Sequence, residues 1–185
     1  MDVLAVCTGN ICRSPAIERL LAARTGLRVR SAGTRAVVGA PVSAPMAALL
    51  SDGGIATEGF AARELTAEHV GAATLVVTET REHRSAVVDL DPTALSRTFT
   101  LRELVRLAGG LPDAALEEIR DARGPHARLR TLVAAAKGAR ATAALVPGAA
   151  AADDIADPIG RPQAVYAEVY TQINGAVGTL ARLLG

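Results

Sequence analysis

Apolar and polar positions along the chain fall into short runs that switch back and forth between strand and helix periods. Val3-Leu4-Ala5-Val6 is apolar throughout, as a strand buried on both faces of a parallel sheet requires. Ala16 to Ala23 then carries apolar residues at helical spacing. Leu27 to Thr34 alternates and ends in small residues, which predicts a second strand closing at a turn. Pro41 to Ser51 predicts a helix stopped by Gly53-Gly54, and Thr66-Ala67-Glu68 opens a short capped one. Thr74-Leu75-Val76-Val77-Thr78 is the third strand, apolar enough to be central. Glu79 to Val88 reads as a charged helix and Arg97 to Leu101 as the fourth strand. Strands alternating with helices define an α/β fold: a doubly wound, four-stranded parallel sheet with helices on both faces.

The remaining third is helical by pattern. Leu116 with Ile119 marks a short helix, and Leu129, Leu132, Val133 and Ala136 form an apolar stripe at helical spacing. Arg120, Arg123, Arg128, Arg130, Lys137 and Arg140 make this part basic, and a solvated helix face is preferred over a partner-docking patch. Pro147-Gly148 and the alanines after it read as a flexible linker. A last helix places Val165, Val169, Ile173, Val177, Leu180 and Leu184 on one side, with Tyr166 and Tyr170 as packing residues. The chain is thus expected to be one domain, 1–185, with a helical, Ala/Arg-rich insertion at about 108–152.

The candidate chemistry sits between the first strand and the first helix, in Cys7-Thr8-Gly9-Asn10-Ile11-Cys12-Arg13-Ser14-Pro15. Ser14 is the expected N-cap, followed by Pro15 where a helix has no amide to spare. A helix N-terminus offers unpaired N–H groups and partial positive charge to an anion. The same field, with Arg13 added, is expected to lower the pKa of the Cys7 thiol. A cysteine followed six positions later by an arginine, around a glycine-containing nest, is equipped as a nucleophile facing a phosphate. Arg13 has the planar fork that holds two phosphoryl oxygens, and the Ser14 hydroxyl can donate to a thiolate. In doubly wound sheets such a site lies where the strand order reverses, at the carboxyl ends of the strands.

The complete nine-residue string closely resembles the phosphate loop of the low-molecular-weight protein tyrosine phosphatase family, bacterial type. The resemblance covers roughly residues 1–108 and 153–185 and includes the Ser31-Ala32-Gly33 stretch. It implies the phosphotyrosine phosphatase I-like fold and hydrolysis of phosphotyrosine, on proteins or small aryl phosphates, through a phosphocysteine on Cys7. The amides of Thr8, Gly9, Asn10, Ile11, Cys12 and Arg13 would then cradle the phosphate, with Asn10 bonding across the loop. The family carries its general acid in an Asp-Pro motif, which points to Asp157 before Pro158. Asp154 is a back-up acid or, preferably, a turn or cap residue. After Asp-Pro the family often places an aromatic wall for the phenyl ring; here Ile159 stands there. Relatives acting on phosphoarginine carry threonine where this chain has Ile11, so aryl substrates are expected to be preferred. A protein arginine phosphatase, or an arsenate reductase using an external thiol, remains the alternative.

Composition trims this picture. In 185 residues, 18.9 kDa, aromatics make up 2%, so the core must be aliphatic. The net charge of +1 provides no field that would draw the chain to nucleic acid or a membrane surface. No run approaches the ~18 apolar residues of a membrane helix, and no signal peptide is visible, so a cytoplasmic protein is expected. The two cysteines share one loop: under oxidants they form a protective disulfide, or Cys12 is a small packing residue, and both readings stay open. His69, His83 and His126 are scattered without ligand spacing, so no metal and no cofactor are expected. The expected partner is a phosphorylated protein or small phosphomonoester.

Overall fold

The computed structural model describes residues 1–143 and 153–185. Four parallel strands, β1 (Val3–Cys7), β2 (Val29–Gly33), β3 (Leu75–Thr78) and β4 (Thr98–Thr100), lie in the order β2-β1-β3-β4. Val3 pairs with Val29 and Leu75, and Cys7 with Gly33. The chain leaves β1 for β2 on one side and later returns to β3 on the other. The strand order therefore reverses between β1 and β3, and β1 ends at that crevice.

Alternation along the strands divides the core. Val3, Ala5, Leu75, Val77 and Phe99 face one layer, where they pack with α1 (Arg13–Thr25), α2 (Ala44–Asp52), α5 (Leu101–Gly109), α6 (Asp113–Asp121), α7 (Pro125–Ala143) and α8 (Gln163–Leu184). Leu4, Val6, Ala32 and Val76 face the other, against α3 (Ala67–Gly71), α4 (Arg81–Leu90) and a 3-10 turn at Pro92–Arg97. Val169, Ile173, Val177, Leu180 and Leu184 of α8 (Gln163–Leu184) are buried in the first layer, as the spacing predicts. Burying apolar side chains from both faces of the central strands supplies most of the driving force.

Two helices occupy the basic stretch, α6 (Asp113–Asp121) and α7 (Pro125–Ala143), beyond α5 (Leu101–Gly109). Ile119, Leu129, Leu132 and Ala136 are buried between them, α5 and α8. Arg140 departs from the solvated-face reading. Its guanidinium lies 3.8 Å from the centroid of the Phe99 ring. It also donates to Glu103 Oε1 at 2.9 Å and to the Thr98 carbonyl at 2.6 Å. Glu103, in turn, closes the capping box of α5 with Thr100 and accepts from Arg84. Charge pairing and stacking thus lock the far end of α7 over β4, something a run of basic letters does not reveal. The expected linker at Pro147-Gly148 lies outside the described residues.

A glycine sets the floor of the crevice. A Cβ on Gly33 would stand 2.4 Å from the Thr8 carbonyl oxygen and 3.0 Å from the Asn10 amide nitrogen. Only hydrogen at this position lets the β1–α1 loop fold down onto the end of β2.

Candidate active site

The loop from Cys7 to Cys12 turns its carbonyls outward. Those of Cys7, Thr8, Gly9 and Ile11 accept from the amides of Thr34, Arg35, Val37 and Ser43, and that of Cys12 accepts from Ala16. Among the described residues, no backbone carbonyl partners the amides of Thr8 to Ser14. A run of unclaimed donors around a helix N-terminus is an anion-binding nest. Among the described residues outside glycine, Asn10 alone takes a positive φ, 52°, and repays it with side-chain bonds. Its amide nitrogen donates to Ser14 Oγ at 3.0 Å and Ser31 Oγ at 2.8 Å, and its oxygen accepts from the Arg63 amide at 2.9 Å. The Ser31 hydroxyl in turn donates to Glu18 Oε2 at 2.6 Å. The loop is held by a buried chain running Glu18, Ser31, Asn10, Ser14.

Ser14 is not the helix cap expected from its position. The cap residue of α1 is Cys12, without a side-chain bond, and the Ser14 hydroxyl sits 3.0 Å from Cys7 Sγ. The hydroxyl is thus committed to the thiol and to Asn10. Cys7 is buried, and burial pushes its thiol above the ordinary range. The Ser14 hydroxyl and amide pull it down, the Glu79 carboxyl pushes it up, and Arg13 pulls down least. The sequence expectation of a depressed thiol counted Arg13 and the helix terminus but neither burial nor Glu79. Cys12 is also a free, buried thiol, pushed up to about 12 by desolvation.

Arg13 and Asp157 meet across 144 residues of sequence. Arg13 Nη2 donates to Asp157 Oδ2 at 2.5 Å and Nη1 to the Ile155 carbonyl at 3.0 Å. Asp157 Oδ1 accepts from the Ile159 amide at 3.1 Å, a turn that Pro158 stiffens. Asp154 points elsewhere and accepts from the Arg81 amide at the start of α4, in keeping with the turn-or-cap reading.

The cleft above Cys7 has a volume of about 320 Å³. Its floor is Cys7, Gly9, Cys12 and Arg13; Ile11, Val37 and Ile159 form apolar walls, with Thr8, Arg35 and Asp157 as the remaining polar lining. Of the residues named from the sequence for the phosphate site, Cys7, Thr8, Gly9, Ile11, Cys12, Arg13, Asp157 and Ile159 gather here, whereas Asn10 and Ser14 are outside the lining and Asp154 bonds the start of α4. Four positions in or beside the cleft escaped the sequence. Arg35 and Val37 follow β2 and reach the mouth because their amides bond the loop. Glu79, expected to open a helix, is fully buried at the end of β3. Its amide donates to the Val6 carbonyl and its carbonyl accepts from the Ile155 amide, between β1 and the segment that carries Asp157. Desolvation raises its pKa to about 8 against the pull of Arg13. His83 touches Thr8, as developed below. Among the described residues no cluster of three or more His, Cys, Asp or Glu side chains is placed to hold a metal ion, and no helix is long and apolar enough to cross a membrane.

A cysteine in an amide nest, bracketed by an arginine and a carboxylate, lies at the switch point of a doubly wound parallel sheet. Residues 2–120 match the sequence model of "Low molecular weight phosphotyrosine protein phosphatase", and the chain belongs to that family. The match runs past residue 108 but ends before Asp157. The low molecular weight protein-tyrosine-phosphatase Etp of Escherichia coli K12 is 41% identical over 99 residues, 53% of this chain and 67% of Etp. A protein-arginine-phosphatase of Geobacillus stearothermophilus is 34% identical over 134 residues, 71% of this chain and 90% of that protein. The solved YwlE arginine phosphatase of Geobacillus stearothermophilus superposes with a TM-score of 0.69 at 28% identity, covering 98% of this chain and 90% of that one. The tyrosine phosphatase AmsI of Erwinia amylovora shares the fold, with a TM-score of 0.70 at 22% identity over 100% of this chain and 93% of its own.

Proposed function

We propose that this chain hydrolyses phosphate monoesters through a phosphocysteine on Cys7, with phosphotyrosine and related aryl phosphates as substrates. The observation that carries the reading is the convergence of Cys7, Arg13 and Asp157 on one cleft floored by unclaimed amides. A phosphate dianion takes the Arg13 fork and the nest; Cys7 gives up its thiol proton by way of cleft water to Asp157, and the thiolate attacks phosphorus in line as the bond to the leaving oxygen breaks. With Arg13 turned to the substrate, Asp157 holds that proton and delivers it to the leaving oxygen. In the second step Asp157 takes a proton from water attacking the phosphocysteine, and Ser14 stabilises the departing thiolate. The same reading takes 1–185 as one phosphatase domain in the cytoplasm, with α6 and α7 as an addition packed on α5 and α8.

Substrate choice rests on the walls. Ile11, Val37 and Ile159 offer apolar surface to a ring, and no side-chain hydroxyl at position 11 serves a guanidinium. Arg35 repels a guanidinium and attracts a π-face, while Asp157 is the one carboxylate in the lining. Phosphoarginine is the second reading, favoured by the arginine phosphatase matching more of the chain than Etp does. Steady-state kcat/KM on phosphotyrosine, aryl phosphate and phosphoarginine decides; a higher value for phosphoarginine overturns the aryl reading.

A further inference from the structure

The Thr8 side chain lines the cleft beside Cys7, and its Oγ1 lies 2.9 Å from His83 Nε2. His83 is 6% exposed, sits in the first turn of α4 and is not among the residues that line the cleft. Its other ring nitrogen, Nδ1, lies 2.9 Å from Thr80 Oγ1, and Thr80 Oγ1 also accepts from the His83 amide as the cap of α4. Both ring nitrogens are thus spoken for by hydroxyls.

Burial, with repulsion from Arg13, lowers the His83 pKa to about 4 against the opposite pull of Glu82, Asp157 and Asp154. A neutral ring has one N–H, so the chain of bonds runs in one of two directions. In one, the Thr8 hydroxyl donates a hydrogen bond to Nε2 and turns oxygen lone pairs toward the cleft. In the other, the Thr80 hydroxyl donates to Nδ1, Nε2–H donates to Thr8 Oγ1, and the Thr8 proton is free to face the cleft. A phosphate dianion repels the first arrangement and accepts a bond from the second. The cap of α4 supports the second too: Thr80 Oγ1 already accepts the His83 amide and has its own proton to give.

We propose that His83 is a positioning residue: relaying from Thr80, it turns the Thr8 hydroxyl proton toward the phosphoryl group, so that this side chain joins the amide nest as a donor. The proposal rests on the phosphatase reading of the cleft. It places α4, on the far side of the sheet from most of the helices, in mechanical contact with the phosphate loop.

The test is a double-mutant cycle read as the inhibition constants of orthovanadate and inorganic phosphate, with kcat and KM alongside. Thr8→Val keeps the shape and removes the donor; Thr8→Ser keeps it. A hydrogen bond to a charged group predicts an inhibition constant roughly 10- to 100-fold weaker for Thr8→Val, and within a few-fold of wild type for Thr8→Ser. His83→Phe should weaken binding by a smaller factor, and His83→Gln, whose amide can still donate, should recover most of it. In the Thr8→Val background, His83→Phe should cost nothing further, because its effect passes through the missing hydroxyl. Additive losses overturn the proposal, since a structural role alone would weaken both backgrounds equally. Should His83→Phe fail to fold, Thr8→Val with wild-type inhibition constants overturns it unaided. Cys7→Ser run in parallel separates the two layers. Turnover lost there while Thr8→Val behaves as wild type refutes the relay alone, and turnover retained refutes the phosphatase reading with it.

Discussion

Gly33→Ala places a methyl group 2.4 Å from the Thr8 carbonyl oxygen and 3.0 Å from both the Asn10 amide nitrogen and its Cβ. All three neighbours belong to the phosphate loop, two of them are backbone, and none is the free end of a flexible side chain. Ordinary contact needs the loop to retreat by about 1 Å. Retreat is resisted from several directions: Thr34 and Arg35 amides hold the Cys7 and Thr8 carbonyls at 3.0 Å, and the Gly33 amide is bonded to Arg63. Overpacking of this kind costs roughly 1–3 kcal/mol. For a chain of this size that is a fall in Tm of about 2–12 °C. Catalysis should suffer more, because misplacing a reacting group by ~1 Å costs on the order of 100-fold. The assay is kcat/KM on an aryl phosphate beside thermal unfolding of the same preparations. A Gly33→Ala protein with wild-type kcat/KM and Tm would refute the claim that the floor of the loop is set by close approach to β2.

Asp157→Asn should cut kcat on a poor leaving group by about 10²–10⁴-fold and on a good one far less; equal losses on both would remove Asp157 as the leaving-group acid. Ile159→Tyr restores an aromatic wall worth about 0.5–1.5 kcal/mol, so KM for aryl phosphates should fall up to about 10-fold with kcat little changed; an unchanged KM would refute the wall. Glu79 has its folded pKa raised to about 8, so between its unfolded value and that point the folded state holds the extra proton. Stability is therefore lost as pH rises from about 5 to 8, and the Tm advantage of Glu79→Gln over wild type should grow across that window; a constant difference would contradict it. Arg140→Ala loses the Glu103 pair and the Phe99 stacking, with about 1.5–3 kcal/mol less stability and kcat/KM within about twofold; undiminished stability would show that this end of α7 is not locked.

The parts of the site that one stretch of sequence carries could be read directly. The β1–loop–α1 unit is contiguous, so Cys7, Arg13 and the nest are legible from strand pattern, glycine and proline alone. Asp157 came through resemblance, because nothing local to Asp-Pro tells that Arg13 lies 2.5 Å away. What stayed hidden depends on distant packing. Ser14 has the composition of a helix cap, and only the fold shows its hydroxyl turned to Cys7 instead. Glu79 has the charge of a helix start but follows directly on β3, and the sheet buries it there. His83 lacks any ligand spacing because its partners, Thr8 and Thr80, are hydroxyls rather than metal ligands. Arg140 belongs to a basic run, yet a ring and a carboxylate from other elements single it out.

The central claim is that the phosphoryl group passes through Cys7. Its most direct test is to quench the enzyme in acid during turnover of an aryl phosphate and map the phosphorylated peptide by mass spectrometry, using Asp157→Ala to slow hydrolysis of the intermediate. The account predicts phosphate on the Cys7 side chain, formed and consumed at rates consistent with kcat, and no turnover in Cys7→Ser. Phosphate on another residue, or Cys7→Ser hydrolysing substrate at the wild-type rate, would contradict it.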